Sequence, residues 1–187
     1  MKALLHICCG PCAIYPVQLL REDRFQVEGF FYNPNIHPFS EYKKRYEAVV
    51  TMSARMGLDT IIHRYDFQEF LRRISAVGDR REQHKLCWQM RLYETALVAK
   101  ARGIACFTTT LLSSPYQDIE EIKILGEAIA KDAGVTFLAK DFRQGFAESH
   151  RISRDWQLYH QNYCGCLYSE KESIEQREKR NSKIQGK

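Results

Sequence analysis

Between an apolar run, Lys2 to Ile7, and a second apolar stretch, Ala13 to Leu20, the chain places Cys8-Cys9-Gly10-Pro11-Cys12. The first run reads as a buried strand and the second as a helix, so three thiols occupy one strand-to-helix junction. Neighbouring alpha carbons across a trans peptide lie ~3.8 Å apart, short of the roughly 4.4 to 6.8 Å that an unstrained disulfide spans, so Cys8 and Cys9 are poor partners. Gly10 and Pro11 suit a tight turn and a helix start, where the dipole stabilises thiolates. Thiolates in that position are metal ligands or nucleophiles.

The strand-helix alternation continues. Phe25 to Tyr32 reads as a second strand, stopped by Asn33-Pro34-Asn35-Ile36-His37-Pro38. Ser40 is placed to cap a helix carrying Tyr42, Tyr46, Val49, Ser53 and Met56 on one stripe, closed by Gly57. Asp59 to Tyr65 reads as a third strand, Phe67 to Ile74 as a short helix and Gly78 to Gln83 as a polar link. A long helix follows from His84 to Ala101, with Leu86, Met90, Tyr93 and Leu97 as its core stripe. At about 100° per residue, His84, Cys87 and Arg91 share a face turned away from that stripe. Ile104 to Leu111 reads as the fourth strand, leading to Ser113-Ser114-Pro115-Tyr116. Asp118 and Glu121 resemble a capping box, and Val135 to Leu138 reads as the fifth strand, ending at Asp141-Phe142-Arg143.

This order predicts a three-layer α/β fold, a parallel sheet with helices on both faces. The 187 residues are expected to form one domain: an α/β core over 1–145 and a helical, cysteine-bearing extension over 146–187 that ends in a charged tail. Ligands of such sheets gather at the carboxyl ends of the strands, where the cysteine loop, the Asn-Pro-Asn loop, Ser114 and Asp141 fall. The start shows no signal-peptide pattern and no apolar run reaches the ~18 residues of a membrane span, so a cytoplasmic protein with no membrane partner is expected. In that reducing compartment seven cysteines read as ligands or redox groups rather than bridges. The net charge of +5 is compatible with a polyanionic partner.

Cys164-Gly165-Cys166 is a second tight thiol pair, able to bend about a metal or to close a small disulfide ring. Cys106 stands apart, among Ile104 and Phe107, and reads as core. The candidate set is then Cys8, Cys9, Cys12, Cys87, Cys164 and Cys166, with His84 beside Cys87. Six soft ligands exceed the four of a closed zinc site, and thiolate-rich sites suit iron-sulfur clusters.

These segments, with Tyr32 to Pro38, Thr108-Thr109-Thr110-Leu111, Asp141-Phe142 and Tyr163 to Cys166, closely resemble the cobalamin-independent epoxyqueuosine reductases over nearly the whole chain. The resemblance implies a fold related to nucleotide-binding α-hydrolase-like (HUP) domains. It also implies an iron-sulfur oxidoreductase that deoxygenates epoxyqueuosine at the wobble position of transfer RNA, completing queuosine, with no cobalamin and no ATP. One position departs from the family pattern: His84 stands where a cysteine three residues before Cys87 is usual. The expected metal ligands are Cys8, Cys9, Cys87 and His84 for a 4Fe-4S cluster, with Cys12, Cys164 and Cys166 as alternative ligands of the cluster or of an additional mononuclear iron.

Cys164, Cys166 and Cys12 are also the candidate dithiol donors, Cys164 and Cys166 as a redox-active disulfide-forming pair on the family's pattern, and Asp141 is the candidate acid. A base drawn from its stack needs partners, for which Trp88, Tyr163, Tyr32 and Tyr15 are candidates, with Asn33, Asn35, Ser114 and Arg91 nearby. Arg21, Lys43, Lys44, Arg45, Arg72, Arg73, Arg80 and Arg81 are candidate phosphate contacts. An electron donor is required. Two other classes compete: an ATP-pyrophosphatase-type tRNA sulfurtransferase, for which Pro11 removes an amide donor from the phosphate loop, and a zinc-binding RNA-binding module, which leaves two thiols without work.

Overall fold

The computed structural model describes residues 1–185. β1 (Lys2–His6) is buried from its second residue on, as befits the centre of a parallel sheet covered on both faces. It pairs in parallel with β2 (Gln26–Phe31) on one side, Ala3 opposite Val27, and with β4 (Cys106–Thr109) on the other, Ala3 opposite Cys106. β3 (Thr60–Ile62) and β5 (Thr136–Phe137) complete a five-stranded parallel sheet in the order β3-β2-β1-β4-β5. The chain winds outward from β1 to β3, then crosses back to β4. The switch between β1 and β4 opens a crevice at their carboxyl ends, beside the cysteine junction.

Right-handed crossovers divide the helices between the faces. α1 (Gly10–Glu22) packs on α2 (Phe39–Met56), and later on α6 (Phe146–Asp155). α4 (Arg80–Ala101) packs on α5 (Ile119–Ala133) across the other face. α3 (Phe67–Ser75) sits against α4, and α7 (Leu167–Gln185) carries the charged tail, of which residues 186–187 lie outside the described part. Among the described residues no helix is long and apolar enough to cross a membrane.

Several boundaries differ from the sequence expectation, each for a physical reason. α1 begins at Gly10 rather than Ala13, so Cys9 is its N-cap residue and Cys12 lies in its first turn. A Cβ on Gly10 would come 2.7 Å from the Ala48 carbonyl oxygen, so only glycine lets α1 and α2 approach this closely. Pro38 rather than Ser40 precedes α2. α4 starts four residues early because the Asp79 carboxylate accepts from the Glu82 amide and caps it. β3 is shorter because Tyr65 leaves the ladder to pack on the Tyr42 ring, 4.1 Å between centroids. β4 gives way after Thr109 to a 3-10 turn over Thr110–Ser113.

The largest correction concerns α4. Tyr93 is 51% exposed and Leu97 is also exposed, whereas Cys87, Trp88, Arg91, Leu92, Thr95 and Ala96 are buried. The buried apolar row of this helix is Trp88, Leu92, Ala96 and Ala99, with Met90 and partly buried Leu86 of the expected stripe packed beside Cys87, and the same inner side carries Cys87, Arg91 and Thr95, whose polarity breaks up the apolar period. Cys87 and Arg91 therefore point inward, not away from the body of the protein.

Candidate thiol-lined active site

Cys8 lies two residues past the end of β1 and Cys9 and Cys12 flank the start of α1, so strand end and helix turn bring three sulfurs together. All three lie within 4.8 Å of one another, buried, with Cys8 and Cys9 at 4.0 Å. Among the described residues this is the only group of three or more candidate ligand atoms so close. A tetrahedral ion with metal-sulfur bonds of ~2.3 Å has ligand sulfurs about 3.8 Å apart, so the trio stands near metal-binding spacing before any metal arrives. Thr110 Oγ1 accepts from the Cys8 amide at 3.0 Å and donates to its sulfur at 3.1 Å. Hydrogen bonds from Cys12 and Cys9, then Thr110, hold the Cys8 thiol well below its ordinary pKa against the effect of burial. Burial pushes Cys9 up, and the hydrogen bonds shared with Cys8 and Cys9 push Cys12 up. The first negative charge of the trio therefore settles on Cys8.

A cavity of about 1140 Å³ opens from this trio, and Cys87, Cys164 and Cys166 line it as well. Burial pushes the Cys87 thiol up to about 12, opposed by Arg91, whose Nη2 donates to its sulfur at 3.3 Å. Arg91 is 1% exposed, and among the described residues it pairs with no carboxylate. Burial works against its charge, and the sulfurs of Cys87, Cys164, Cys8 and Cys166 more than offset that. A buried cation whose counter-charges are thiols requires anionic sulfur around it. Gln117 Nε2 reaches Cys164 Sγ at 3.7 Å while its Oε1 accepts from the Trp88 indole at 2.9 Å. Arg80 approaches Cys166 Sγ at 3.9 Å.

The Cys-Gly-Cys loop, which begins 152 residues after Cys12, is held here by Arg45 of α2. Its Nη1 donates to the Cys164 carbonyl at 2.8 Å, its Nη2 to the Tyr163 carbonyl at 2.9 Å and its Nε to Glu41 at 2.8 Å. The Tyr159 hydroxyl donates to the other Glu41 oxygen. The Gly165 carbonyl accepts from the His37 amide at 2.7 Å, which ties the loop to the Asn-Pro-Asn segment. Gly165 has φ +143°, and a Cβ there would meet Ile36 at 3.0 Å and Asn35 at 3.1 Å.

His84, Trp88, Arg91, Ser114 and Tyr163 line the cavity as the sequence suggests. Burial, then Arg80, lowers the His84 pKa and keeps its imidazole neutral, the form that ligates metals. Other candidates do not line the cavity and have contacts elsewhere. Tyr32 packs between Phe30 and His63, and Tyr15 fills the space beside Gly145 and accepts from Gln144. Asn33 donates to the Ile7 carbonyl, and Asn35 lies against Gly165. Asp141 is outside the cavity in an ion pair with Arg143, which holds its carboxyl below the usual range, the reverse of what an acid needs. All seven cysteines, including Cys164 and Cys166, are free thiols.

The expected phosphate contacts are largely engaged elsewhere. Arg45 is buried on Glu41, Arg72 and Arg73 pair with Glu69, and Arg80 pairs with Glu172. Arg21 donates to carbonyls of Met56 and Gly57. Sequence reasoning missed Thr110, Gln117 and the cavity-lining α7 arginines Arg177 and Arg180. Arg45 had a legible signal: it lies three residues after Tyr42 and four before Val49, on the apolar stripe, with Glu41 one turn earlier.

The chain is similar to known proteins. A family profile described as "Epoxyqueuosine reductase QueH" matches residues 3–172. A relative of that name from Dehalococcoides mccartyi is 40% identical over 172 residues, 91% of this chain and 93% of its own length. Another from Thermotoga maritima is 37% identical over 184 residues, 94% and 92%. A crystal structure described as a predicted subunit of tRNA methyltransferase from Methanocaldococcus jannaschii superposes with a TM-score of 0.51 over 82% of this chain and 74% of that one. At 8% identity it speaks for the fold alone. The chain belongs to the QueH family of epoxyqueuosine reductases.

Proposed function

We propose that the thiol-lined cavity is where epoxyqueuosine, presented at the wobble position of transfer RNA, loses its epoxide oxygen to give queuosine. The reaction breaks both carbon-oxygen bonds of the epoxide, forms a carbon-carbon double bond, and consumes two electrons and two protons to release water. An external electron donor must supply those electrons. The carrying observation is that six thiols from three distant segments line one cavity at the switch point of the sheet.

That donor set fits an iron-sulfur centre. Cys8, Cys9 and Cys12 would hold it on the strand side, with Cys87 and neutral His84 as the ligands offered by α4, and Cys164 and Cys166 as ligands of a second iron or as a dithiol pair. A 4Fe-4S cluster bound there supplies electrons one at a time and a Lewis-acidic iron.

The chain's own groups set the environment. Hydrogen bonds from Cys12, Cys9 and Thr110 favour the Cys8 thiolate, and the buried Arg91 cation favours negative charge on Cys87, Cys164 and Cys8. Gln117 keeps the Trp88 indole and Cys164 in register, leaving the Trp88 ring on the wall to receive a base.

Incubating the anaerobically purified protein with dithionite and an anticodon stem-loop RNA carrying epoxyqueuosine tests this reading. Mass spectrometry of the recovered nucleoside should show loss of one oxygen, dependent on bound iron. An iron-loaded protein that leaves the epoxide intact would overturn it.

A further inference from the structure

Away from the sulfurs, the same cavity ends in a group of rings that the thiol chemistry does not use. Tyr116 follows the Thr110–Ser113 turn and is 85% exposed, which is unusual for a large ring not packed into the body. Its centroid lies 6.4 Å from that of Phe146, edge to face. Phe146 opens α6, and His150, one turn later on the same side, packs against it with centroids 4.2 Å apart and the rings tilted by 42°. The His160 ring adds a further 5.1 Å contact. All four rings line the cavity. Burial lowers the pKa of both histidines, so they present neutral rings.

Charge is arranged to match. Arg80, Arg81 and Lys85 line the cavity but face Glu172 or Glu121. Arg177 and Arg180 on α7 also line it, and among the described residues neither pairs with a carboxylate. Arg177 is instead steadied by the Asn162 carbonyl at 3.0 Å. Guanidinium groups with no carboxylate partner among the described residues and an exposed ring ledge in one cavity match an unpaired nucleotide, with its flat base and its phosphate.

We propose that Tyr116, Phe146 and His150 form a stacking ledge for the base next to the reacting nucleoside, while Arg177 and Arg180 take its phosphates. This rests on the reading of transfer RNA as substrate and makes the cavity a two-nucleotide site. Stacking of one base on one ring is worth roughly tenfold or more in binding.

The test compares the free epoxyqueuosine nucleoside with the anticodon stem-loop RNA, both reduced with dithionite, and also follows 2-aminopurine placed beside the wobble position. Tyr116→Ala should raise KM for the stem-loop about tenfold more than for the nucleoside and abolish the 2-aminopurine quenching seen with the wild-type protein, and Tyr116→Trp should restore both. Phe146→Ala should act in the same direction. Equal losses on nucleoside and stem-loop would mark the ledge as structural and overturn the proposal. So would a loss seen only with a protein electron donor, which would assign the ledge to that donor. A wild-type protein that reduces neither substrate would strike the proposed reaction instead, while the 2-aminopurine signal would still decide the ledge.

Discussion

The two thiol groups of the cavity are built by opposite means. Cys8, Cys9 and Cys12 are placed by backbone: a buried strand, a helix start and one threonine hydroxyl within reach. Cys164 and Cys166 lie in a loop with no regular structure, held by a guanidinium from another helix and by a glycine at φ +143°. The first group is a local consequence of the chain; the second exists only once α2 and the C-terminal part have met. The sheet end thus brings three sulfurs to near metal-binding spacing, and the loop adds a wall fixed by tertiary hydrogen bonds.

Substitution of the sulfurs should separate these roles most sharply. Cys9→Ala is expected to remove the iron absorbance and the activity together, and so is Cys87→Ala. Cys166→Ala should keep colour while losing turnover. Iron counts beside a turnover assay check this, and a brown, active Cys9→Ala protein would erase the distinction.

Next in size is the latch. Arg45→Met leaves Glu41 buried without its partner, and breaking such a pair costs about 3 to 5 kcal/mol, measurable by urea unfolding. Adding Glu41→Gln should recover part of that loss. If Arg45→Met unfolds with wild-type stability, the loop does not depend on it.

The strand side carries a pH signature. His6, buried at the end of β1, hydrogen-bonds to Thr109 and to the Tyr32 carbonyl, and burial lowers its pKa to about 4. The unfolded chain binds a proton near pH 6.5 while the folded chain does not, so stability should fall as pH drops from about 6.5 to about 4. The loss for the iron-free protein approaches roughly 3 kcal/mol. His6→Gln should flatten that slope; an unchanged slope would assign it elsewhere.

The smallest effect belongs to Gly165→Ala. Forcing a side chain into that backbone region, against Ile36 and Asn35, should cost about 1 to 3 kcal/mol in thermal unfolding. A change below a few tenths would show that the loop relaxes freely.

The same contrast explains what could be read from sequence. Lys2 to Cys12 was legible because a continuous apolar run followed by thiols and Gly-Pro specifies strand, turn and helix locally. The parallel sheet followed from alternation of elements. The inner face of α4 was misread because buried Cys87, Arg91 and Thr95 interrupt its apolar row of Trp88, Leu92, Ala96 and Ala99, so a different set of apolar residues stands out in the sequence. Asp141 sits close to a strand end, as an acid should, but two residues on Arg143 captures it, and sequence does not show which way the loop turns. Trp88 and Tyr163 were found by standing next to cysteines; Tyr116, Phe146 and Arg177 reach the cavity only through tertiary packing.

The central claim is that the thiol-lined cavity holds a redox iron-sulfur centre. Electron paramagnetic resonance of the anaerobically purified, dithionite-reduced protein, with iron, sulfide and zinc counted on the same sample, tests it most directly. The account predicts an iron-sulfur signal with at least about four iron and four sulfide per chain. A colourless, signal-free protein holding zinc in place of iron, yet still able to reduce epoxyqueuosine, would contradict it.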